Sequence, residues 1–149
     1  MLTLVHWLSY AHAIVTSVYP QSSRNSATEQ LLCRLDDIVD GGSKEVSLSD
    51  DHITLCVVRQ GTTVHAYINS CPHTGAPLNW DGDRFLTRDG DMIQCAIHGA
   101  LFRISDGLCM WGPCLKQRLT AVPITVRGDV ILLTDVESSR LALTYPSGR

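Results

Sequence analysis

The chain has 149 residues, and 12 lysine or arginine residues against 15 aspartate or glutamate residues give it a formal net charge of -3. A chain of this length can bury one modest core, so we expect one domain with extensions. Aromatic residues make up 6% of the chain and are not interleaved with basic runs. Nucleic acid is therefore not an expected partner.

The N-terminal part of the chain differs in character from the rest. Leu2 to Tyr19 contains no lysine, arginine, aspartate or glutamate, and its apolar residues recur at helical spacing. It is marginal in length for a membrane span, and it lacks the basic start of a secretory signal and a twin-arginine export signal. We expect a mobile appendage, a docking helix or an extension that results from a start site assigned too far upstream. A polar linker is expected to follow at Gln21 to Glu29. We also expect a cytoplasmic protein without membrane association.

From Leu31 onward the pattern is that of short β-strands rich in β-branched residues, with Gln60-Gly61 as a hairpin turn. The longer predicted strands are Leu31–Leu35, Lys44–Leu48, Ile53–Arg59, Thr63–Ile68, Leu119–Arg127 and Val130–Thr134. Brief strands are predicted near Phe85–Leu86, Met92–Cys95 and Ala100–Ile104. The fold class is therefore predicted as all-β, an antiparallel β-sandwich or barrel with a smaller, loop-rich subdomain inserted between its strands.

Two segments of this subdomain pair a cysteine with a histidine. The first is Cys71-Pro72-His73, and Cys95-Ala96-Ile97-His98 follows after twenty-one residues. Thiolates hold iron–sulfur clusters, and a two-iron centre in which two histidines replace two cysteines on one iron needs this set of ligands. The motif predicts one [2Fe-2S] cluster per chain, held by Cys71, His73, Cys95 and His98. A structural zinc ion is the less favoured alternative, because zinc sites usually pair both cysteines in one segment and both histidines in another.

These residues resemble the Rieske family, whose fingerprint is C-x-H followed after a moderate interval by C-x-x-H. The resemblance covers about Leu31 to Thr134 and includes Pro72, Gly75, Pro77, Leu78, Gly99, Phe102 and Gly112-Pro113-Cys114. It implies the fold of Rieske iron–sulfur proteins, an antiparallel β-sandwich or barrel with an inserted cluster-binding subdomain. We accordingly divide the chain into an N-terminal extension and linker at 1–29, a Rieske domain at 30–135 and a C-terminal tail at 136–149.

The resemblance also implies a function in electron transfer. The expected carrier passes single electrons between a flavin- or NAD(P)H-dependent reductase and a terminal oxygenase or other redox enzyme. The alternative is a small subunit of a larger reductase, as in nitrite reductase. Catalysis by the chain alone, as in Rieske oxygenases, requires a mononuclear iron held by two histidines and a carboxylate. About fifteen residues follow Thr134, too few for that domain, so we do not expect a self-sufficient enzyme.

The remaining candidate residues carry weaker expectations. Cys33 and Cys56 fall in predicted strands and are expected to be inert, buried thiols. Cys109 and Cys114 flank a turn, where a disulfide, a shield over the cluster and simple packing all remain open. The other candidates are His52 and His65, which are not expected to bind metal, and Trp80, Phe85 and Trp111, which are expected to form an apolar shield.

The resemblance further bears on the reduction potential. High-potential family members carry an extra cysteine in each ligand loop, joined by a disulfide, and Ser and Tyr hydroxyls that donate to the cluster sulfurs. The corresponding positions here are Ala76 and Ile97 for the cysteines, and Ala100 and Phe102 for the hydroxyls. Since all four groups are missing, we expect a potential toward the negative end of the roughly −150 to +300 mV window of such clusters.

Overall fold

The computed structural model describes residues 29–48 and 53–134. Within them lie a short 3-10 helix, Leu35–Asp37, and the strands β1 Gln30–Arg34, β2 Ser43–Leu48, β3 Ile53–Gln60, β4 Thr63–Ile68, β5 Met92–Gln94, β6 Leu101–Arg103, β7 Cys109–Trp111, β8 Ile124–Arg127 and β9 Val130–Leu133. Neighbouring strands pair antiparallel, which confirms the predicted all-β fold class. No helix in this part of the chain is long and apolar enough to span a membrane. Residues 1–28 of the predicted extension and linker, residue 135, the predicted tail at 136–149 and His52 lie outside the described residues.

The strands form three sheets, each with three members. The outer sheet has the order β1-β9-β8, the central sheet β2-β3-β4 and the loop sheet β5-β6-β7. The central sheet contributes to both cores of the molecule, because successive side chains of a strand point to opposite faces. In β3, Leu55 and Val57 join the core shared with the outer sheet, whereas Cys56 and Val58 join the core shared with the loop sheet. Burial on both faces explains why β3 is a continuous apolar run.

Polar groups at two junctions fix the sheets to one another. The Arg59 guanidinium, at the end of β3, donates to the carbonyls of Leu35 and Ile38 at 2.9 Å each. The Tyr67 hydroxyl of β4 donates to the carbonyl of Ile104 at 2.7 Å. Because the Tyr67 side chain is buried, this hydrogen bond places the loop sheet against the central sheet with little freedom to slide.

The structure differs from the predicted strands at three places. Leu119–Arg127 is not one strand, since only Ile124–Arg127 pairs with β9, while Val122 donates to the carbonyl of Ala66 in β4. Pro123 separates the two parts because it has no backbone N–H for a continuous ladder. Phe85–Leu86 contributes a single bridge, from Leu86 to Ile93. Finally, β7 was not predicted, because its three residues run directly into the Gly112-Pro113 turn signal.

Candidate iron–sulfur site

The first candidate ligand loop, residues 71–78, follows β4 and closes on itself. The Cys71 N–H donates to the carbonyl of Ala76 at 2.7 Å, and the Gly75 N–H donates to the carbonyl of Cys71 at 2.7 Å. Gly75 has a φ of +77°, a left-handed conformation that a residue without a Cβ adopts at little cost. The turn leaves the Cys71 side chain buried and the His73 side chain exposed.

A buried asparagine outside the motif anchors both ends of this loop. Asn69 accepts a hydrogen bond from the N–H of Leu78 at 2.7 Å through its Oδ1 atom. Its Nδ2 atom donates to Thr54 Oγ1 at 3.1 Å and to Asn79 Oδ1 at 2.8 Å. The sequence prediction missed Asn69, although an asparagine at the end of a strand and two residues before a ligand motif is a usable signal of loop anchoring.

The second candidate ligand loop, residues 95–100, joins β5 to β6 in the same manner. The Cys95 N–H donates to the carbonyl of Ala100 at 2.9 Å, and the Gly99 N–H donates to the carbonyl of Cys95 at 2.9 Å. The loops are tied together because the Ala96 N–H donates to the carbonyl of Leu78 at 2.6 Å. The cysteine of this loop is buried and His98 is exposed, which repeats the arrangement of the first loop.

The side chains of the two loops meet in pairs, sulfur with sulfur and imidazole with imidazole. Burial raises the pKa of the Cys71 thiol, and the adjacent Cys95 thiol raises that pKa further, whereas the backbone N–H of His73 lowers it. At the exposed end, the ring centroids of His73 and His98 are 4.9 Å apart with the rings edge to face at 76°. The site therefore has a buried thiol end and a solvent-facing imidazole end.

The donor set suits two irons better than one zinc ion. The thiols of Cys71 and Cys95 form one pair, and the imidazoles of His73 and His98 form another. A structural zinc ion takes four protein ligands, whereas each iron of a two-iron cluster completes its coordination with bridging sulfides and needs only two.

A second pair of sulfurs lies next to the site. Cys114 Sγ donates to Cys109 Sγ at 3.3 Å, and Cys109 Sγ donates to the carbonyl of Trp111 at 3.3 Å. Both side chains are buried, and neither is in a disulfide. Burial, with added contributions from Cys109 and Cys71, raises the pKa of Cys114 to about 12. Cys114 also lies near Cys71, because the Cys71 thiol is one of the contributions that raise this pKa.

The remaining candidate cysteines and His65 lie outside the two ligand loops. Cys33 and Cys56 are buried, and burial raises the pKa of both thiols. His65 is half-buried in β4, opposite Val58 of β3 and outside both ligand loops.

The predicted aromatic shield divides into a core residue and two surface residues. Phe85 belongs to the core, while Trp80 and Trp111 are 77% and 62% exposed. Trp80 Nε1 donates to the carbonyl of Ala96 at 3.0 Å, so this indole lies against the second ligand loop with most of its surface in solvent. The Trp111 ring lies close to Gly99 of the same loop.

Residues 28–134 match the model of the Rieske [2Fe-2S] domain family. The chain belongs to this family, which confirms the resemblance, and it has one [2Fe-2S] cluster as cofactor. It is a Rieske ferredoxin-like electron-transfer protein by its family and its structural relatives.

Among individual proteins, the chain is 32% identical over 93 residues to apoptosis-inducing factor 3 of Homo sapiens, and 34% identical over 88 residues to the Mus musculus protein of that name. These matches cover 62% and 59% of this chain but span only 14% and 13% of the two relatives.

Among solved structures, the chain matches two over nearly their whole length and a larger one over part of its length. The ferredoxin of carbazole 1,9a-dioxygenase from Nocardioides aromaticivorans IC177 aligns with a TM-score of 0.59 and 26% identity, over 72% of this chain and 98% of that chain. A chain in the complex of reduced oxygenase and oxidized ferredoxin in carbazole 1,9a-dioxygenase aligns with a TM-score of 0.57 and 25% identity, over 72% and 94%. The terminal oxygenase from Novosphingobium sp. KA1, at 18% identity and a TM-score of 0.60 over 72% of this chain and 29% of that chain, shares the fold alone.

Proposed function

We propose that Cys71 and Cys95 hold one iron of the cluster, that His73 and His98 hold the other, and that the protein carries single electrons between redox enzymes. The observation that carries this proposal is the pairing of two buried thiols with two exposed imidazoles whose centroids are 4.9 Å apart. The bound cluster supplies reversible uptake of one electron. Two neutral imidazoles in place of two thiolates leave less negative charge, so the added electron is held more readily.

The protein environment supports transfer at the imidazole end. The apolar core around Cys71 and Cys95 shields the thiols from water and keeps the local dielectric low. His73 and His98 are exposed, so a partner enzyme can approach this end directly. The exposed rings of Trp80 and Trp111 lie against the second ligand loop and add apolar surface beside the histidines. Apolar side chains surrounded by polar surface are typical of a protein contact site.

The proposed partners are a flavin- or NAD(P)H-dependent reductase as electron donor and a terminal oxygenase as acceptor. Support comes from the match to the ferredoxin of carbazole 1,9a-dioxygenase, which extends over 98% of that chain, and from the match to a complex of oxidized ferredoxin with reduced oxygenase. We propose that the chain acts as a carrier in the cytoplasm, and that it is not catalytic alone. The alternative, a small subunit of a nitrite reductase-type enzyme, uses the same cluster in a permanent assembly.

Metal analysis tests the ligand assignment. Protein purified anaerobically is expected to contain two irons and two acid-labile sulfides per chain, with the optical bands of an imidazole-ligated cluster. Replacing Cys71, His73, Cys95 or His98 with alanine should abolish assembly. His65→Ala is the matched control, because this histidine lies outside both loops, and it should retain the cluster. Stoichiometric zinc without sulfide in the wild-type protein would contradict the assignment.

An electron-transfer assay distinguishes the two proposed functions, a free carrier and a subunit of a larger reductase. When the reduced protein is mixed rapidly with a terminal oxygenase, each chain should lose one electron to the oxygenase. An NAD(P)H-dependent flavin reductase should then reduce the protein again. For a free carrier, we expect rates that saturate with oxygenase concentration and that fall in Trp80→Ala, because this substitution removes exposed apolar surface at the second ligand loop. Stable co-purification with a sirohaem reductase, with no turnover as a free protein, would favour the subunit instead.

A further inference from the structure

Cys109 and Cys114 lie in a short loop that is closed at its base, here called the thiol loop and defined as residues 109–117. The Cys109 N–H donates to the carbonyl of Gln117 at 2.8 Å, and the Lys116 N–H donates to the carbonyl of Cys109 at 3.1 Å. The Gln117 N–H donates to the carbonyl of Cys114 at 2.9 Å. These bonds fix the backbone of both cysteines independently of their sulfurs.

The two sulfurs of the thiol loop are placed for bond formation. They are 3.3 Å apart, and a disulfide requires an S–S distance of about 2.05 Å, so the side chains need to close a gap of roughly 1 Å. Rotation about the side-chain bonds can supply a movement of this size without moving the backbone. Cys33 and Cys56 lie in β1 and β3 and belong to different cores, so they do not form a comparable pair.

We propose that Cys109 and Cys114 are a redox modification site, which closes to a reversible intramolecular disulfide by exchange with low-molecular-weight disulfides such as oxidised glutathione. One protein thiolate attacks a sulfur of oxidised glutathione, and one glutathione thiolate leaves. The second protein thiolate attacks the mixed disulfide, forms the Cys109–Cys114 bond and releases the second glutathione. Two electrons pass from the protein sulfurs to the glutathione sulfurs, and the two protons of the protein thiols end on the two glutathione thiols.

The modification would act on the loop that covers the candidate cluster site. Trp111 pairs with Leu101 of β6, and Gly112 packs so closely on Ala100 that a Cβ at Gly112 would lie 2.8 Å from the Ala100 Cα. The disulfide would replace the hydrogen bond from Cys114 to Cys109, because a disulfide sulfur has no hydrogen to donate. Formation of the Cys109–Cys114 disulfide does not depend on the proposed cluster ligation.

The burial of the thiols determines how the site must be tested. Both side chains are at most 1% exposed, and a buried, protonated thiol exchanges slowly. Opening of the loop, whose Met110, Trp111 and Leu115 side chains face solvent, would give the small disulfide access. An equilibrium measurement is therefore more informative than a rate.

The experiment equilibrates the purified full-length protein anaerobically in glutathione buffers from fully reduced to fully oxidised. Free thiols are then alkylated under denaturing conditions, and the peptides are identified by mass spectrometry without reduction. We expect the peptide with Cys109 and Cys114 to lose both alkylatable thiols in one step, at a poise where Cys33 and Cys56 remain fully alkylated. A later addition of a dithiol reductant should restore both. Cys56→Ser should leave this transition in place, whereas Cys109→Ser and Cys114→Ser should each abolish it.

Two results would overturn the proposal. One is full alkylation of Cys109 and Cys114 even in fully oxidised glutathione. The other is a disulfide that joins Cys114 to Cys71 in place of Cys109. Iron and sulfide are measured on the same samples, so an unassembled cluster, which would contradict the proposed function, is distinguished from failure of the thiol loop to close.

Discussion

At the residue scale, Asn69 does more for the first ligand loop than its place outside the C-x-H motif indicates. Its side chain is 7% exposed and connects the Leu78 backbone, Thr54 and Asn79. Leaving buried polar groups without partners costs roughly 1–3 kcal/mol. We expect Asn69→Ala to lower the free energy of unfolding in urea by about this amount, and to reduce the iron content of the purified protein.

A second substitution in the same loop provides the control for Asn69→Ala. Ser70 Oγ donates to the carbonyl of Gly75 at 3.1 Å in an exposed position. Because water can replace that bond, Ser70→Ala should change the stability by less than about 0.5 kcal/mol. Equal losses in both variants would show that the loop is held by its own turns and does not depend on the anchor.

The potential is the second property that single residues should control. Ala100 and Phe102 are both fully buried at the second ligand loop, and they occupy the positions where high-potential relatives have donating hydroxyls. A hydroxyl donor stabilises the more negative, reduced cluster. We expect Phe102→Tyr to raise the midpoint potential in protein-film voltammetry, whereas Phe102→Leu, which changes packing without adding a donor, should not. A wild-type potential near the top of the range for such clusters would show that another feature controls it.

At the scale of elements, the turn after β6 is held to the base of the thiol loop by charge. The Asp106 carboxylate accepts from Arg103 at 2.7 Å and 2.8 Å and from Arg118 at 2.6 Å. The hydrogen bonds from Arg103 and then Arg118 hold the pKa of Asp106 well below its usual value. A carboxyl with a lowered folded-state pKa stabilises the fold above its unfolded pKa of about 3.9 and loses this contribution as pH falls below it.

This linkage predicts how the stability of the loop sheet depends on pH. Urea unfolding of the wild type should show a loss of stability as the pH falls below about 4, part of which comes from Asp106. Asp106→Asn should be less stable than the wild type at neutral pH and show a smaller loss on acidification. The group is exposed to solvent, so added salt should reduce the difference. A pH dependence identical to that of the wild type would contradict the role of this ion pair.

The elements also show where sequence reasoning succeeds and where it stops. The candidate ligands and most of the longer strands were predicted because their signals are local, namely a fixed spacing and an alternation of apolar residues. The strand β7 was missed because its three residues run directly into the Gly112-Pro113 turn signal, and only their pairing with β6 defines them as a strand. The anchor Asn69 was missed for the same reason, since its partner Thr54 is fifteen residues away in sequence. Contacts of this kind depend on the assembled fold.

At the scale of the whole molecule, the first described residues tie the N-terminal side of the domain to the outer sheet. Glu29, the first described residue, forms an ion pair with Arg127 of β8 at 2.5 Å and 2.8 Å, and β1 follows in the outer sheet. We therefore expect a variant that lacks residues 1–28 to assemble the cluster with two irons per chain. Its free energy of unfolding should lie within about 0.5 kcal/mol of the full chain, because the two cores of the described domain are built from residues 33–133. Loss of iron or a large drop in the urea midpoint would show that the extension contributes to the domain.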